Sequence, residues 1–243
     1  MSEQSNRRCV VLVPTYGGID PMCEASLQQL ERRGYTVRRV GGYSQIDLGR
    51  GRMATDALTD GFDETMWIDS DIGFDPADVD RLRSHNVDIV GGVYAIKRRR
   101  ALAVNVGDRT EPLRLGRHGG LIRVRYIATG FLLVRRRVYE TVRRHAALRD
   151  CTDHHGKPFT PFFFPMTIPH PPGRFEGDDV DWYLGEDYSF CERAGRAGMV
   201  VHADTSVRLL HYGRYGYGWE DAGEERPRYP DYTYHLGSEL GDR

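Results

Sequence analysis

Between Cys9 and Tyr94 the chain alternates short apolar runs with amphipathic stretches, and this alternation restricts the fold more than any other feature. "CVVLVP", Cys9 to Pro14, is a continuous apolar run stopped by proline, the pattern of a strand buried on both faces. Asp20 and Pro21 predict a helix start, with Leu27 and Leu30 on one face and Gly34 as its end. "YTVRRV" reads as a second strand, Arg52 to Leu58 as helix and "TMWI" as a third strand. Pro76 opens a helix ending near His85, and "VDIVGGVY" is a fourth strand. Strands in turn with helices predict a mostly parallel sheet with helices on both faces, an α/β fold.

The second half has a different texture. "LIRVRYIATGFLLV" predicts two β segments meeting at Gly130, followed by a helix from about Arg136 to His145. Cys151 to Asp181 is rich in Pro, Phe, Gly and His and has no period; a loop of that length is usually functional or disordered. "EDYSFCERAGRAGM" reads as a helix with Phe190, Cys191 and Ala194 on one face, ending at Gly198, with short strands around "VVHA" and "VRLLH" after it. The tail from Tyr212, studded with Tyr, Gly and Pro, is expected to drape over the surface. There is no internal repeat.

Composition narrows the function classes. A formal net charge of −1 argues against a protein that coats nucleic acid. No stretch approaches the roughly 18 uninterrupted apolar residues of a membrane span. "MSEQSNRRC" lacks an apolar signal core, so a cytoplasmic location is expected. Cys9, Cys23, Cys151 and Cys191 are scattered without metal-ligand spacing; Cys9 and Cys191 sit in apolar patterns, and no disulfide is expected.

Three constellations carry chemistry. In "TMWIDSDIGF" an apolar run ends in Asp69 and Asp71, and ligands of open parallel sheets bind beyond the carboxyl ends of strands. Two carboxylates there repel each other unless neutralised. Mn²⁺ or Mg²⁺ shared with substrate phosphates answers that need. The plainer account makes Asp71 a turn cap and Asp69 a solvated strand end. In "GEDYSF", Glu186 and Asp187 open a helix, where Asp187 suits a helix cap. A carboxylate kept ionised at that position also suits a general base. In "LLHYG", His211 ends an apolar strand and is a candidate third metal ligand beside the two aspartates.

Lys97, in "YAIKRRR", is a candidate phosphate contact, although a charge run more often lies in water. "PFFFP", Pro161 to Pro165, reads either as core plugs or as an apolar shelf for an acceptor.

Taken in order, "VVLVPTYGG", "WIDSD", "ATGFLLVRR", "GEDYSFCERAGRAG" and "LLHYG" resemble the GT-A glycosyltransferases, with the family-2-like bacterial and phage enzymes nearest. The resemblance runs from about Val10 to Tyr212. It implies a single domain with a Rossmann-like, mostly parallel sheet and a smaller mixed sheet on the acceptor side. Residues 8–100 would form the nucleotide-sugar half, 101–212 the acceptor and catalytic half, and 213–243 a tail. It further implies that Asp69 and Asp71 hold a divalent cation on the donor diphosphate and that His211 completes the site. Pro14, Thr15 and Tyr16 would pack around the base, Arg52 would lie near the nucleotide, and Asp187 would be the base of an inverting transfer.

Two departures stand out. Gly51-Arg52-Met53 replaces the usual Ala-Arg-Asn, and "GGYSQID" replaces an acidic second-strand ending, leaving Asp47 as the acidic base contact. The acceptor is open: a small molecule, a protein side chain, a modified nucleobase or a cell-wall precursor. Rival readings are a nucleotidyltransferase, which lacks here the basic Gly-rich loop it needs after the first strand; an aspartyl phosphohydrolase, which would be expected to carry its D-x-D on the first strand; and a non-catalytic sugar- or nucleotide-binding module.

Overall fold

The computed structural model describes residues 3–108, 110–152, 156–170, 180–213, 215–223 and 232–234. The first half follows the alternation in the sequence. Strand β1 (Cys9–Thr15) leads to helix α1 (Pro21–Arg32), β2 (Thr36–Gly41), α2 (Ile46–Thr59), β3 (Glu64–Ile68), a two-residue β4 (Ile72–Gly73), α3 (Pro76–Ser84) and β5 (Ile89–Gly92). Local chemistry sets the helix starts. The Met22 N–H donates to Asp20 Oδ1 at 2.9 Å with Pro21 in the first turn of α1, and Asp75 and Asp78 form a capping box ahead of α3. Helix α2 begins six residues before the expected Arg52.

The second half supplies β6 (Leu121–Val124), β7 (Phe131–Arg135), α4 (Arg136–His145), β8 (Met166–Pro169), β9 (Asp181–Leu184), α5 (Glu186–Arg196), β10 (Val201–Asp204), β11 (Leu210–Tyr212) and β12 (Gly216–Tyr217). The central sheet has seven strands in the order β2-β1-β3-β7-β5-β10-β6. Strand β1 runs parallel to β2 and β3, and β10 parallel to β5. Strand β7 lies antiparallel between β3 and β5, and β6 antiparallel to β10, so the sheet is mixed rather than purely parallel.

Alternate residues of the buried strands face opposite layers. Val10, Leu12 and Trp67 pack with α2, α4 and α5 through residues such as Met53, Tyr139 and Phe190. Val11, Val13, Met66 and Ile68 pack with α1 and α3 through Leu27, Leu30, Val79 and Leu82. Helices therefore cover both faces. Cys9 and Cys191 are buried, and the four cysteines are unpaired. Among the described residues no helix is long and apolar enough to cross a membrane.

Three expectations need correction. The stretch from Cys151 to Asp181 is not structureless: Cys151–Thr152 pairs with Pro158–Phe159, and β8 pairs with β9. Within it Phe162 and Phe163 are core residues while Phe164 is exposed, because the two buried rings fill space against Tyr139, Phe190 and Trp67. Residues 153–155 and 171–179 of that stretch lie outside the described residues. The start of the tail does not drape. Trp219 is buried and its indole N–H donates to the Val93 carbonyl at 2.9 Å, which places the ring in the core. Residues 224–231 and 235–243 also lie outside. In place of a smaller mixed sheet, the described residues form short antiparallel ribbons, including β12-β11-β4 and β8-β9.

Candidate active site

Strand β3 delivers the acidic pair. Met66, Trp67 and Ile68 are fully buried, and the chain leaves the sheet at Asp69. Its exit is tied by backbone bonds: the Asp69 N–H donates to the Gly130 carbonyl at 2.9 Å, Ile72 N–H to Asp69 O at 3.0 Å, and Tyr212 N–H to Asp71 O at 2.7 Å. Gly130 is needed there for space. A Cβ on it would lie 2.4 Å from the Tyr94 hydroxyl and 3.0 Å from Asp69 Oδ2.

A cavity of about 370 Å³ opens beside this turn. Pro14, Thr15, Tyr16, Asp69, Asp71 and Glu186 line it, as do Tyr43, Ile46 and Arg50, which sequence reasoning did not single out. Tyr16 is 87% exposed at its rim. Asp47, Arg52, Lys97, Asp187 and His211 are not among the lining residues.

Arg50 organises the inner side. Its side chain is only 3% exposed, Nη2 donates to Asp69 Oδ1 at 2.7 Å, and Nε lies 3.6 Å from Glu186 Oε1. The guanidinium stands 5.5 Å over the Trp67 ring, and the indole below it is fixed by donating to the Tyr139 hydroxyl at 2.8 Å. Nε and Nη1 of Arg50 have no hydrogen-bond partner among the described residues. Arg52 lies two residues along the helix, about 200° around its axis. It is buried with its guanidinium 5.5 Å over Phe159, so Arg50 and not Arg52 reaches the acidic pair. The "GRGR" pattern offered both arginines; an earlier helix start would have separated their faces.

Asp187 is the second residue of α5, and Gly185 is the cap, so the expected capping role is not the one it takes. Its Oδ1 accepts from the Tyr188 N–H at 2.7 Å. Burial, reinforced by the adjacent Glu186 carboxylate, pushes its carboxyl up to about 6. The helix N-terminus therefore does not keep its affinity for protons low. Burial and the Asp69 and Asp187 charges push the Tyr94 phenol well up, so it stays protonated and its oxygen accepts the Gly130 N–H at 3.2 Å.

Asp71 sits on the outer side. The Lys97 ammonium donates to Asp71 Oδ2 and, at 3.0 Å, to the Tyr212 carbonyl. His211 Nε2 lies 3.5 Å from Asp71 Oδ1, and its Nδ1 is 3.0 Å from the Ala95 carbonyl. Burial works to raise the Asp71 carboxyl, but His211 and Lys97 outweigh it and hold it below the ordinary range.

These contacts divide the expected metal-ligand set. Nδ1 faces a carbonyl, which can only accept, so in the neutral ring the free lone pair sits on Nε2, the arrangement common in metal-binding histidines. Asp71 and His211 thus fit a divalent cation that also takes substrate oxygens. Asp69 is turned to Arg50, and no three acidic, His or Cys groups gather as a metal cluster among the described residues.

No protein-family model matches the sequence, and no curated protein matches it. Among solved structures, A197 from STIV is similar with a TM-score of 0.51 and 16% identity, over 85% of this chain and 86% of that one, and the two share a fold. A glycosyltransferase involved in the glycosylation of the major capsid of PBCV-1 aligns with a TM-score of 0.33 and 13% identity over 54% of this chain and 61% of that one, too distant to carry weight.

Proposed function

We propose that the protein is a glycosyltransferase that moves a sugar from a nucleotide-diphosphate donor to an acceptor nucleophile with inversion. The observation that carries this reading is the meeting of two elements at one cavity. Asp69-Ser70-Asp71 leaves the carboxyl end of β3 there, and the Glu186-Asp187 start of α5 closes in around the same Arg50.

In this reading Pro14, Thr15, Tyr16 and Tyr43 take the nucleotide, since aromatic faces stack on bases. Asp71 and His211 would hold Mn²⁺ or Mg²⁺, which supplies positive charge for the departing diphosphate. Arg50 keeps Asp69 and Glu186 as ordered hydrogen-bond acceptors for sugar hydroxyls. Asp187 receives the acceptor proton as the acceptor atom attacks the anomeric carbon and the bond to the diphosphate breaks. A carboxyl near pH 6 is mostly ionised at neutral pH yet basic enough to accept that proton.

The test is a thermal-shift screen of UDP-, GDP-, dTDP- and CDP-sugars, each with Mn²⁺ and with EDTA. A ligand of the folded state raises its apparent stability. The reading predicts a metal-dependent shift with one nucleotide, followed by release of its nucleoside diphosphate when acceptor is present. Binding without release under any acceptor would favour the non-catalytic binding module; no shift with any donor would count against both.

A further inference from the structure

We propose that Lys97 is a resident counter-cation of Asp71, so that the divalent cation does not load alone but enters with the donor's diphosphate. This rests on the reading of Asp71 as a cation ligand.

Both carboxylates of the pair already have a protein cation: Arg50 on Asp69, Lys97 on Asp71. With each carboxylate of the pair facing a protein cation, the pair itself carries little net negative charge to draw an ion out of water. The two pairs differ in permanence. Arg50 is almost fully buried, whereas Lys97 and Asp71 are each about a third exposed, at 32% and 36%. An ion pair in that setting is weak and exchangeable.

Lys97 is also held in place. The Ala95–Leu102 bridge and the Ile96 N–H to Ala101 carbonyl bond at 2.9 Å close a tight turn, in which Arg98 adopts φ +61°. The turn leaves Arg98, Arg99 and Arg100 exposed while Lys97 reaches Asp71 and the Tyr212 carbonyl. An ammonium has three donors. Asp71 and Tyr212 take two, and the third is available to a phosphate oxygen. A diphosphate therefore supplies both the missing negative charge for the cation and a new partner for Lys97, and lowers the barrier that Lys97 poses to the metal.

The experiment titrates Mn²⁺ alone into wild type, Lys97→Met, Lys97→Arg and the Lys97→Met/Asp71→Asn double variant, reading free Mn²⁺ by electron paramagnetic resonance. Lys97→Met is expected to bind Mn²⁺ at least tenfold more tightly than wild type, with Lys97→Arg within threefold of wild type and the double variant losing the gain. Lys97→Arg keeps the charge, so it separates charge from packing if Lys97→Met is unstable. Equal affinity in wild type and Lys97→Met, with loss on removing Asp71, would overturn the counter-cation and leave the cation site standing. A gain that survives Asp71→Asn would overturn the assignment of the cation to Asp71.

Discussion

Asp71 and Asp187 are the same residue type in one site, and the protein pushes their carboxyls in opposite directions. Both are largely withdrawn from water, which alone would raise each of them. At Asp71 the neighbouring His211 and Lys97 reverse that effect. At Asp187 the nearest charge is Glu186, which adds to it, and Arg50 offsets only part. Two carboxyls separated in this way are suited to different roles, one as a standing anion and one as a proton acceptor. The difference comes from which polar and charged neighbours each can reach, and Asp187 is also the deeper of the two.

The largest test of that division is kinetic. Asp187→Asn should lower transfer by about a hundredfold or more while leaving donor affinity within about twofold, since the amide keeps the Tyr188 bond. Rates in wild type should fall as pH drops through about 6, as the Asp187 carboxyl protonates. A pH profile flat to pH 5 would remove Asp187 as the base.

The next effect is structural. Arg50→Met should destabilise the fold by about 3 kcal/mol, because it strands Asp69 and Glu186 beside Asp187 without their buried partner; urea unfolding measures it. Stability then separates the two aspartates by sign. The raised carboxyl of Asp187 favours the folded state while protonated, and that contribution is lost as pH rises from the ordinary aspartate range, near 4, through about 6. Asp187→Asn should therefore stabilise at pH 7 by about 2 kcal/mol. The lowered carboxyl of Asp71 stabilises above the ordinary range and loses that contribution as pH falls through its folded value. Asp71→Asn should destabilise at pH 7 by under about 1 kcal/mol, the scale of an ion pair about a third exposed. Shifts of the same sign in both variants would break the comparison.

Gly130→Ala addresses the scaffold between them. Its methyl would meet the Tyr94 hydroxyl and Asp69, at a cost of about 1–3 kcal/mol. Combining it with Tyr94→Phe should recover part of that loss.

How much of this was legible follows from local and non-local physics. The caps of α1, the buried run of β3 and its exit into Asp69 and Asp71 are set by residues adjacent in sequence, and they could be read there. Strand β7 between β3 and β5 depends on pairing residues distant in sequence, Phe131 with Ile68 on one side and Leu132 with Gly91 on the other, which no periodicity encodes. A helix taken to start at Arg52 leaves Arg50 outside it, whereas α2 starts at Ile46 and helix phase separates the two arginines. The rise at Asp187 depends on burial by the assembled fold, whereas a helix N-terminus in the sequence suggests the reverse. Trp219 is hidden in the sequence by the Tyr- and Gly-rich residues around it, although its indole N–H bonds the Val93 carbonyl in the core.

The central claim is that donor binding and proton transfer rest on different aspartates. Once the screen names a donor, its affinity in the presence of Mn²⁺ should be measured for wild type, Asp187→Asn and Asp71→Ala. The account predicts wild-type affinity in Asp187→Asn and at least a tenfold loss in Asp71→Ala. Equal affinity in Asp71→Ala and wild type would contradict it.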